Sequence, residues 1–188
     1  MKILINNSLA LSKMHDLQLL HPFLFLDIEF FADPELCYHL QHETMRVYNE
    51  LLKHGRIKEL DYTSEEMSDI GVLCKQFPNL SRFESASLYL AQREEIGLFA
   101  TNTLVRDAAS GLGLAAFGYN WVFDQIHQHQ IFSPMVIFNK WKDLEKLFYI
   151  STDTTMPLCV QSYYEGSTKP EVGSTKSEVS NIVKKIRS

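Results

Sequence analysis

Short apolar runs alternate along this chain with stretches in which the apolar residues have helical spacing. Lys2 to Ile5 is a short run of strand-forming residues and predicts a buried first strand. Similar runs at 97–101 and 114–117 predict two more strands, and the apolar spacing from Ser8 to Leu20 predicts a helix between them. Because strands that alternate with helices are joined by right-handed crossovers, this pattern predicts a parallel sheet in an α/β sandwich.

Helix-start signals predict most of the remaining helices. Asp33-Pro34-Glu35 combines an N-cap, a proline at the first helical position and an acid in the first turn, and predicts a helix that continues to near Gly55. Ser81-Arg82-Phe83-Glu84 is a capping-box pattern in front of a helix that ends near Glu94. Four further helices are predicted over 64–76, 103–110, 119–128 and 134–147.

The character of the sequence changes near residue 150, which predicts a domain over 1–150 and a polar extension over 151–188. Within the extension, 158–164 predicts one strand, and 165–177 predicts a flexible linker because it is rich in Ser, Thr, Gly and Pro. Four apolar residues at helical spacing then predict a short basic amphipathic helix, either docked on the domain or available to a partner or to nucleic acid. These residues are Val179, Ile182, Val183 and Ile186.

Composition limits the classes of function. The 188 residues are 45% apolar and 22% charged, which is typical of a folded globular chain and excludes a disordered, collagen-like or coiled-coil protein. The 18 basic and 23 acidic residues give a charge of −5, so binding to nucleic acid would require a local basic patch or a bound metal.

Cellular location is predicted from the cysteines and the apolar stretches. Cys37, Cys74 and Cys159 are too few and too widely spaced for a disulfide framework or a CxxC site, so we expect a reducing cytoplasm. The longest apolar stretch, Pro22 to Leu26, is far shorter than a membrane span, and we expect no membrane association. The histidines form no HExxH or paired Cys/His pattern, so zinc is not expected.

Polar residues follow the predicted strands where an open parallel sheet places its active groups. Asn6 follows the first strand, Asn102 follows the strand at 97–101, and Glu35 and Glu84 stand at helix starts that can face the same crevice. With aspartate at the two asparagine positions, this would be a carboxylate site for Mg²⁺ or Mn²⁺. Each residue also has a structural explanation. Glu84 can close the capping box, Glu35 can complement a helix dipole, and the asparagines can be turn residues.

The order and spacing of these parts resemble the PIN domain, a small metal-dependent nuclease fold found in bacterial toxin–antitoxin pairs and in RNA-processing factors. The matching stretches are 3–8, 34–36, 80–91 and 98–102, followed by Arg106, Ala109 and 112–114. The resemblance covers roughly residues 2–147, and the block from Ser81 to Ala91 with the strand after it is its most specific part. It implies a three-layer α/β/α sandwich with a central, mainly parallel sheet of four to five strands.

The resemblance also implies a catalytic metal site at Asn6, Glu35, Glu84 and Asn102. The family has Asp at the first position, usually Glu at the second, and usually Asp at the third and fourth. Two anionic ligands of four are therefore replaced by amides in this chain. An amide oxygen can coordinate a cation but contributes no charge, so we expect weaker binding of Mg²⁺ or Mn²⁺, with loss of the metal as the alternative.

Three hypotheses about function follow. The first is a Mg²⁺- or Mn²⁺-dependent endoribonuclease of toxin–antitoxin type that cleaves single-stranded RNA, with Arg82 or Arg106 contacting phosphate and with Asp107, Asp27 or Glu29 as candidate replacement acids. The second is a catalytically inactive PIN-like domain that binds nucleic acid or another protein. The third is an unrelated Rossmann-like domain for a small ligand. The resemblance further implies a homodimer and, for the toxin branch, an antitoxin-like protein partner.

Overall fold

The structure, a computed structural model, describes residues 1–147 and 157–167. This part of the chain contains one sheet of five parallel strands in the order β3-β2-β1-β4-β5. The strands are β1 (Lys2–Ile5), β2 (Glu29–Ala32), β3 (Ile57–Glu59), β4 (Gly97–Phe99) and β5 (Ala116–Phe117). The chain builds the sheet outward from β1 to β3, and then outward in the other direction from β4 to β5. The switch between β1 and β4 is where such sheets form a crevice.

Helices cover both faces of the sheet. Those of the described residues are α1 (Ser8–Asp16), α2 (Leu20–Leu24), a 3₁₀ helix (Pro34–His39), α3 (His42–Lys53), α4 (Met67–Gln76), α5 (Arg82–Arg93), α6 (Thr103–Gly111), α7 (Tyr119–Gln128), α8 (Pro134–Leu147) and α9 (Leu158–Ser167). Consecutive side chains of a strand point to opposite faces, so Ile3 and Ile5 contribute to one core and Leu4 to the other. The first core packs against α1, α2, α3, α7 and α8, and the second against α4, α5 and α6. The predicted three-layer α/β/α sandwich is confirmed.

Two predicted helices are each broken into two pieces. The helix predicted from Ser8 to Leu20 ends at Asp16, because Gln18 adopts a left-handed conformation with φ of 55° before α2 begins. The helix predicted from Asp33 to Gly55 begins as the 3₁₀ helix and is interrupted by extended backbone at Leu40. Apolar spacing alone therefore identified the helical regions but not the breaks within them.

The strand predicted over 158–164 was wrong, because α9 occupies this segment. Val160 is fully buried against α7 and α8, and the backbone N–H of Cys159 donates to Oδ1 of Asp124 at 3.0 Å. The predicted flexible linker lies mostly, and the predicted basic helix entirely, outside the described residues. The division at residue 150 stays a prediction.

All three cysteines are free; Cys37 and Cys74 are half-buried and Cys159 is buried. No helix within the described ranges is long and apolar enough to cross a membrane.

Candidate functional site

The carboxyl edge of the sheet brings together the residues that follow β1, β2 and β4. Asn6 and Asp33 come directly after neighbouring strands, because Ile5 pairs with Ala32 in the parallel register. The N-termini of α1, the 3₁₀ helix and α6 lie at the same edge, since each of these helices follows a strand. The N-terminus of α5 lies there too, because α5 runs back toward the start of β4. This edge is the crevice that the sequence predicted.

Asn6 is almost fully buried, with 2% of its surface exposed. Its backbone N–H donates to the carbonyl oxygen of Phe99 at 3.1 Å and so extends the β1–β4 ladder by one bond. Its side-chain Nδ2 is buried and has no hydrogen-bond partner. The neighbouring Asn7 caps α1 through its Oδ1 and donates from Nδ2 to Oγ1 of Thr101 at 3.1 Å, which ties the ends of β1 and β4 together.

Glu84 and Asn102 are in direct contact, and both have structural duties. Oε2 of Glu84 accepts hydrogen bonds from the backbone N–H and the hydroxyl of Ser81, at 2.8 and 2.9 Å, and closes the capping box of α5. Oε1 of Glu84 accepts from Nδ2 of Asn102 at 2.9 Å. Asn102 also caps α6, since its Oδ1 accepts from the backbone N–H of Leu104 at 3.0 Å. Both oxygens of Glu84 and both polar atoms of the Asn102 amide are therefore in use.

Glu35 is directed to a different partner. It lies in the first turn of the 3₁₀ helix, and its Oε1 accepts from the hydroxyl of Tyr62 at 2.9 Å. Burial of the phenol and this carboxylate raise the pKa of Tyr62 to about 12.

A cleft of about 210 Å³ lies between α1 and α5 at this edge. Its lining residues are Asn6, Asn7, Ser8, His39, Ser81, Phe83 and Glu84. We call this the polar cleft. It includes two of the four predicted site residues, Asn6 and Glu84, but not Glu35 or Asn102. The rings of His39 and Phe83 meet edge to face on its wall, with centroids 5.9 Å apart.

Asp33 is a residue of this edge for which the sequence predicted only a helix cap. Its side chain is fully buried; Oδ1 accepts from the backbone N–H of Glu35 at 2.8 Å, while Oδ2 has no partner. Burial raises the pKa of Asp33 to about 6, and the nearby carboxylates of Glu35, Asp61 and Glu59 act in the same direction. The signal that could have found it is its position after β2, a strand that the apolar pattern did not mark.

The two arginines predicted to contact phosphate both lie near this edge and outside the polar cleft. Arg82 is exposed, and its Nη2 lies 3.4 Å from Sδ of Met67. Arg106 is half-buried, and its Nη1 donates to the carbonyl oxygens of Ala100 and Thr101 at 3.3 and 3.1 Å, just beyond β4.

The candidate replacement acids lie elsewhere. Glu29 is the first residue of β2, so it and Asp27 belong to the opposite, amino edge of the sheet, where Glu29 pairs with Lys58 at 3.3 Å. The prediction that Asp27 and Glu29 approach the crevice was wrong. Asp107 is exposed on α6. No group of three or more His, Cys, Asp or Glu side chains in the described part of the chain is placed to hold a metal ion.

A second cleft, of about 310 Å³, lies beside the first, where the α4–α5 loop meets the start of α6. We call it the apolar cleft. Its lining residues are Gln76, Phe77, Pro78, Asn79, Leu80, Leu104, Asp107 and Ala108. Three large apolar side chains are exposed along the same edge, each on a helix that follows a strand: Leu9, Tyr38 and Leu104. Glu84 and Asp107 line the two clefts, and no lysine or arginine lines either.

Comparison with known proteins adds little to this picture. No protein-family model matches the chain, and no curated protein matches it in sequence. Among solved structures, the chain is similar to the crystal structure of FitAcB from Neisseria gonorrhoeae, with a TM-score of 0.40 and 15% sequence identity. That match covers 62% of this chain and 96% of the other. A similarity of this size identifies no family, so the α/β fold rests on the sheet order and packing described above.

Proposed function

We propose that the chain is a PIN-like domain that has lost its catalytic metal and binds another protein at the carboxyl edge of its sheet. The PIN-like part is supported by the positions of Asn6 and Asn102, which follow adjacent strands at the topological switch. It is supported also by the contact between Glu84 and Asn102, two residues that the resemblance assigns to one site.

The loss of the metal is supported above all by the three hydrogen bonds that Glu84 accepts. A carboxylate whose two oxygens are held by Ser81 and Asn102 would have to break a helix cap in order to bind Mg²⁺ or Mn²⁺. Asn6 and Asn102 add no negative charge, and Glu35 is bonded to Tyr62 outside the polar cleft. Divalent cations need several oxygen ligands and bind best to anionic ones, so this set of donors does not suit them.

Binding of a protein is supported by the apolar surface of the edge. Exposed Leu9, Tyr38 and Leu104 beside an apolar cleft form the kind of surface that marks protein interaction sites. Since Glu84 and Asp107 line the two clefts without a lysine or an arginine, the partner segment should be basic and carry a large apolar side chain. An antitoxin-like protein of this chemistry would fit.

The catalytic half of this proposal is tested by cleavage of a mixed pool of single-stranded RNA in Mn²⁺. We expect no cleavage by the native chain, and the double variant Asn6→Asp/Asn102→Asp tests whether two carboxylates restore it. Native cleavage that Glu84→Ala abolishes would instead establish the endoribonuclease. Glu84→Ala is judged beside Ser81→Ala, which also disturbs the cap but keeps the carboxylate.

The binding half is tested with synthetic peptides in which a leucine or phenylalanine is flanked by lysines or arginines, and with counterparts in which glutamates replace the basic residues. We expect binding of the basic set only, weakened about tenfold or more by Leu104→Ser, as is usual for a central interface residue. Met135→Ser is the matched control, since Met135 is also exposed but lies on α8. Equal binding of both peptide sets, or of neither, would contradict the proposal.

A further inference from the structure

The amino edge of the sheet carries a groove that none of the functions above uses. It lies where α2 and α3 end and β3 begins, and its volume is about 550 Å³. Its lining residues are His21, Phe25, Glu50, Leu51, His54 and Arg56. We call it the Phe25 groove. A second groove of about 510 Å³ shares His21 and Glu50 with it and continues along α3 past Arg46. Together they provide a path along the surface for an extended ligand.

Phe25 is the central feature of the groove because 57% of its surface is exposed. The guanidinium of Arg56 lies over its ring, 4.6 Å from the centroid, and the ring of His21 lies 6.3 Å away. An exposed aromatic ring beside a planar cation and an imidazole offers flat surfaces on which another ring can stack. Single-stranded nucleic acids are bound through such platforms, since every base has a π face.

The groove also lies in a locally basic surface, in contrast to the two clefts of the carboxyl edge. Lys53, Arg56 and Lys58 are all exposed within six residues of sequence. The acids nearby are Glu29, which lies 3.3 Å from Lys58, and Glu50, which lies 3.7 Å from Nε2 of His54. Lys53 also complements the C-terminus of α3, but that role accounts for neither Phe25 nor Arg56.

We infer that the Phe25 groove binds single-stranded nucleic acid, with a base stacked on the Phe25–Arg56 platform and the phosphates near Lys53 and Lys58. The chain as a whole is acidic, with a charge of −5, so binding to a polyanion must rely on a local basic surface, which this edge provides. This inference goes beyond the proposed function and does not depend on it, because the carboxyl edge lies at the other end of the strands.

The test is fluorescence anisotropy with labelled oligouridylate and oligothymidylate of about 12 nucleotides, measured from about 50 to 200 mM salt. We expect the native chain to bind at least one of them, and the pair distinguishes RNA from DNA as the preferred ligand. Phe25→Leu should weaken binding about tenfold, whereas Phe25→Tyr, which keeps a ring, should stay within about twofold of native. Arg56→Gln should weaken binding and lower the slope of log K against log salt by about one.

Lys146→Gln is the matched control for charge. Lys146 is exposed on α8 and pairs only with Asp143, so the variant removes one positive charge far from the groove and should bind like the native chain. Thermal melts of all variants verify that they fold. Three results would each overturn the inference: no binding of either oligonucleotide by the native chain, native affinity in Phe25→Leu, or equal losses in Lys146→Gln and Arg56→Gln.

Discussion

Asp33 is a buried carboxyl group whose Oδ2 has no hydrogen-bond partner, and its surroundings are acidic. Its pKa is raised from 3.8 to about 6, so folding favours the protonated form. The stabilisation that this contributes is fully present below about pH 4 and is lost as the pH rises through about 6. A difference of about two pKa units corresponds to roughly 3 kcal/mol as an upper bound.

We therefore predict that Asp33→Asn raises the free energy of unfolding at pH 7.5 by about 1–3 kcal/mol and leaves it almost unchanged near pH 4. The asparagine keeps an oxygen to accept from the backbone N–H of Glu35 and removes the buried charge. Urea unfolding at pH 4, 5.5 and 7.5 measures the effect. Asp27→Asn, at an exposed acid, should show little change at any of these pH values. A gain that is the same at all three would show that charge is not the cause.

At this scale the sequence predicted the helix caps and missed the burial. The capping box of Ser81 and Glu84 could be predicted because the cap is a local contact within four residues. The bond between Glu84 and Asn102 and the burial of Asp33 depend on which strands lie side by side, and spacing along the chain does not contain that information.

The capping box makes α5 the element on which the carboxyl edge depends. Ser81→Ala removes the hydroxyl that accepts from the backbone N–H of Glu84 and that donates to its carboxylate. We predict a loss of about 0.5–2 kcal/mol in the free energy of unfolding, measured by urea denaturation. Ser81→Asn, which supplies another good N-cap, should recover most of this loss. Full stability of Ser81→Ala would show that the cap contributes nothing.

The second element-scale prediction concerns the close approach of β4 to its neighbours. A Cβ at Gly97 would lie 2.8 Å from Cε2 of Phe117 and 2.9 Å from Cδ1 of Ile3. Gly97→Ala should therefore destabilise the fold by about 1–3 kcal/mol through overpacking. The control is Gly111→Ala at the end of α6, where a Cβ would meet nothing within 4 Å. We expect that variant to be neutral or slightly stabilised, and equal losses in both would contradict the packing explanation.

Elements were predicted best where a start signal and apolar spacing agree, as in α5, α7 and α8. The extended backbone at Leu40, which separates the 3₁₀ helix from α3, was missed because both pieces have helical apolar spacing. β2 and β3 were missed because they are short, of four and three residues.

Across the whole molecule, the sheet separates two surfaces of different chemistry. The carboxyl edge presents neutral amides, two acids and exposed apolar side chains, whereas the amino edge beside β3 is basic and aromatic. Alternation of strands and helices was sufficient to predict the parallel α/β sandwich. It could not predict that Asp27 and Glu29 belong to the amino edge, because that depends on where β2 begins.

The most direct test of the central proposal is titration with Mn²⁺ by isothermal calorimetry, using the native chain and Asn6→Asp/Asn102→Asp. We predict no saturable binding by the native chain at millimolar Mn²⁺, and at least tenfold tighter binding by the double variant, because two added carboxylates supply the missing charge. The double variant should also melt at a higher temperature in Mn²⁺ than in its absence, since binding to the folded state stabilises it. Saturable binding of one Mn²⁺ by the native chain, abolished by Glu84→Ala, would contradict the proposal that the metal site has been lost.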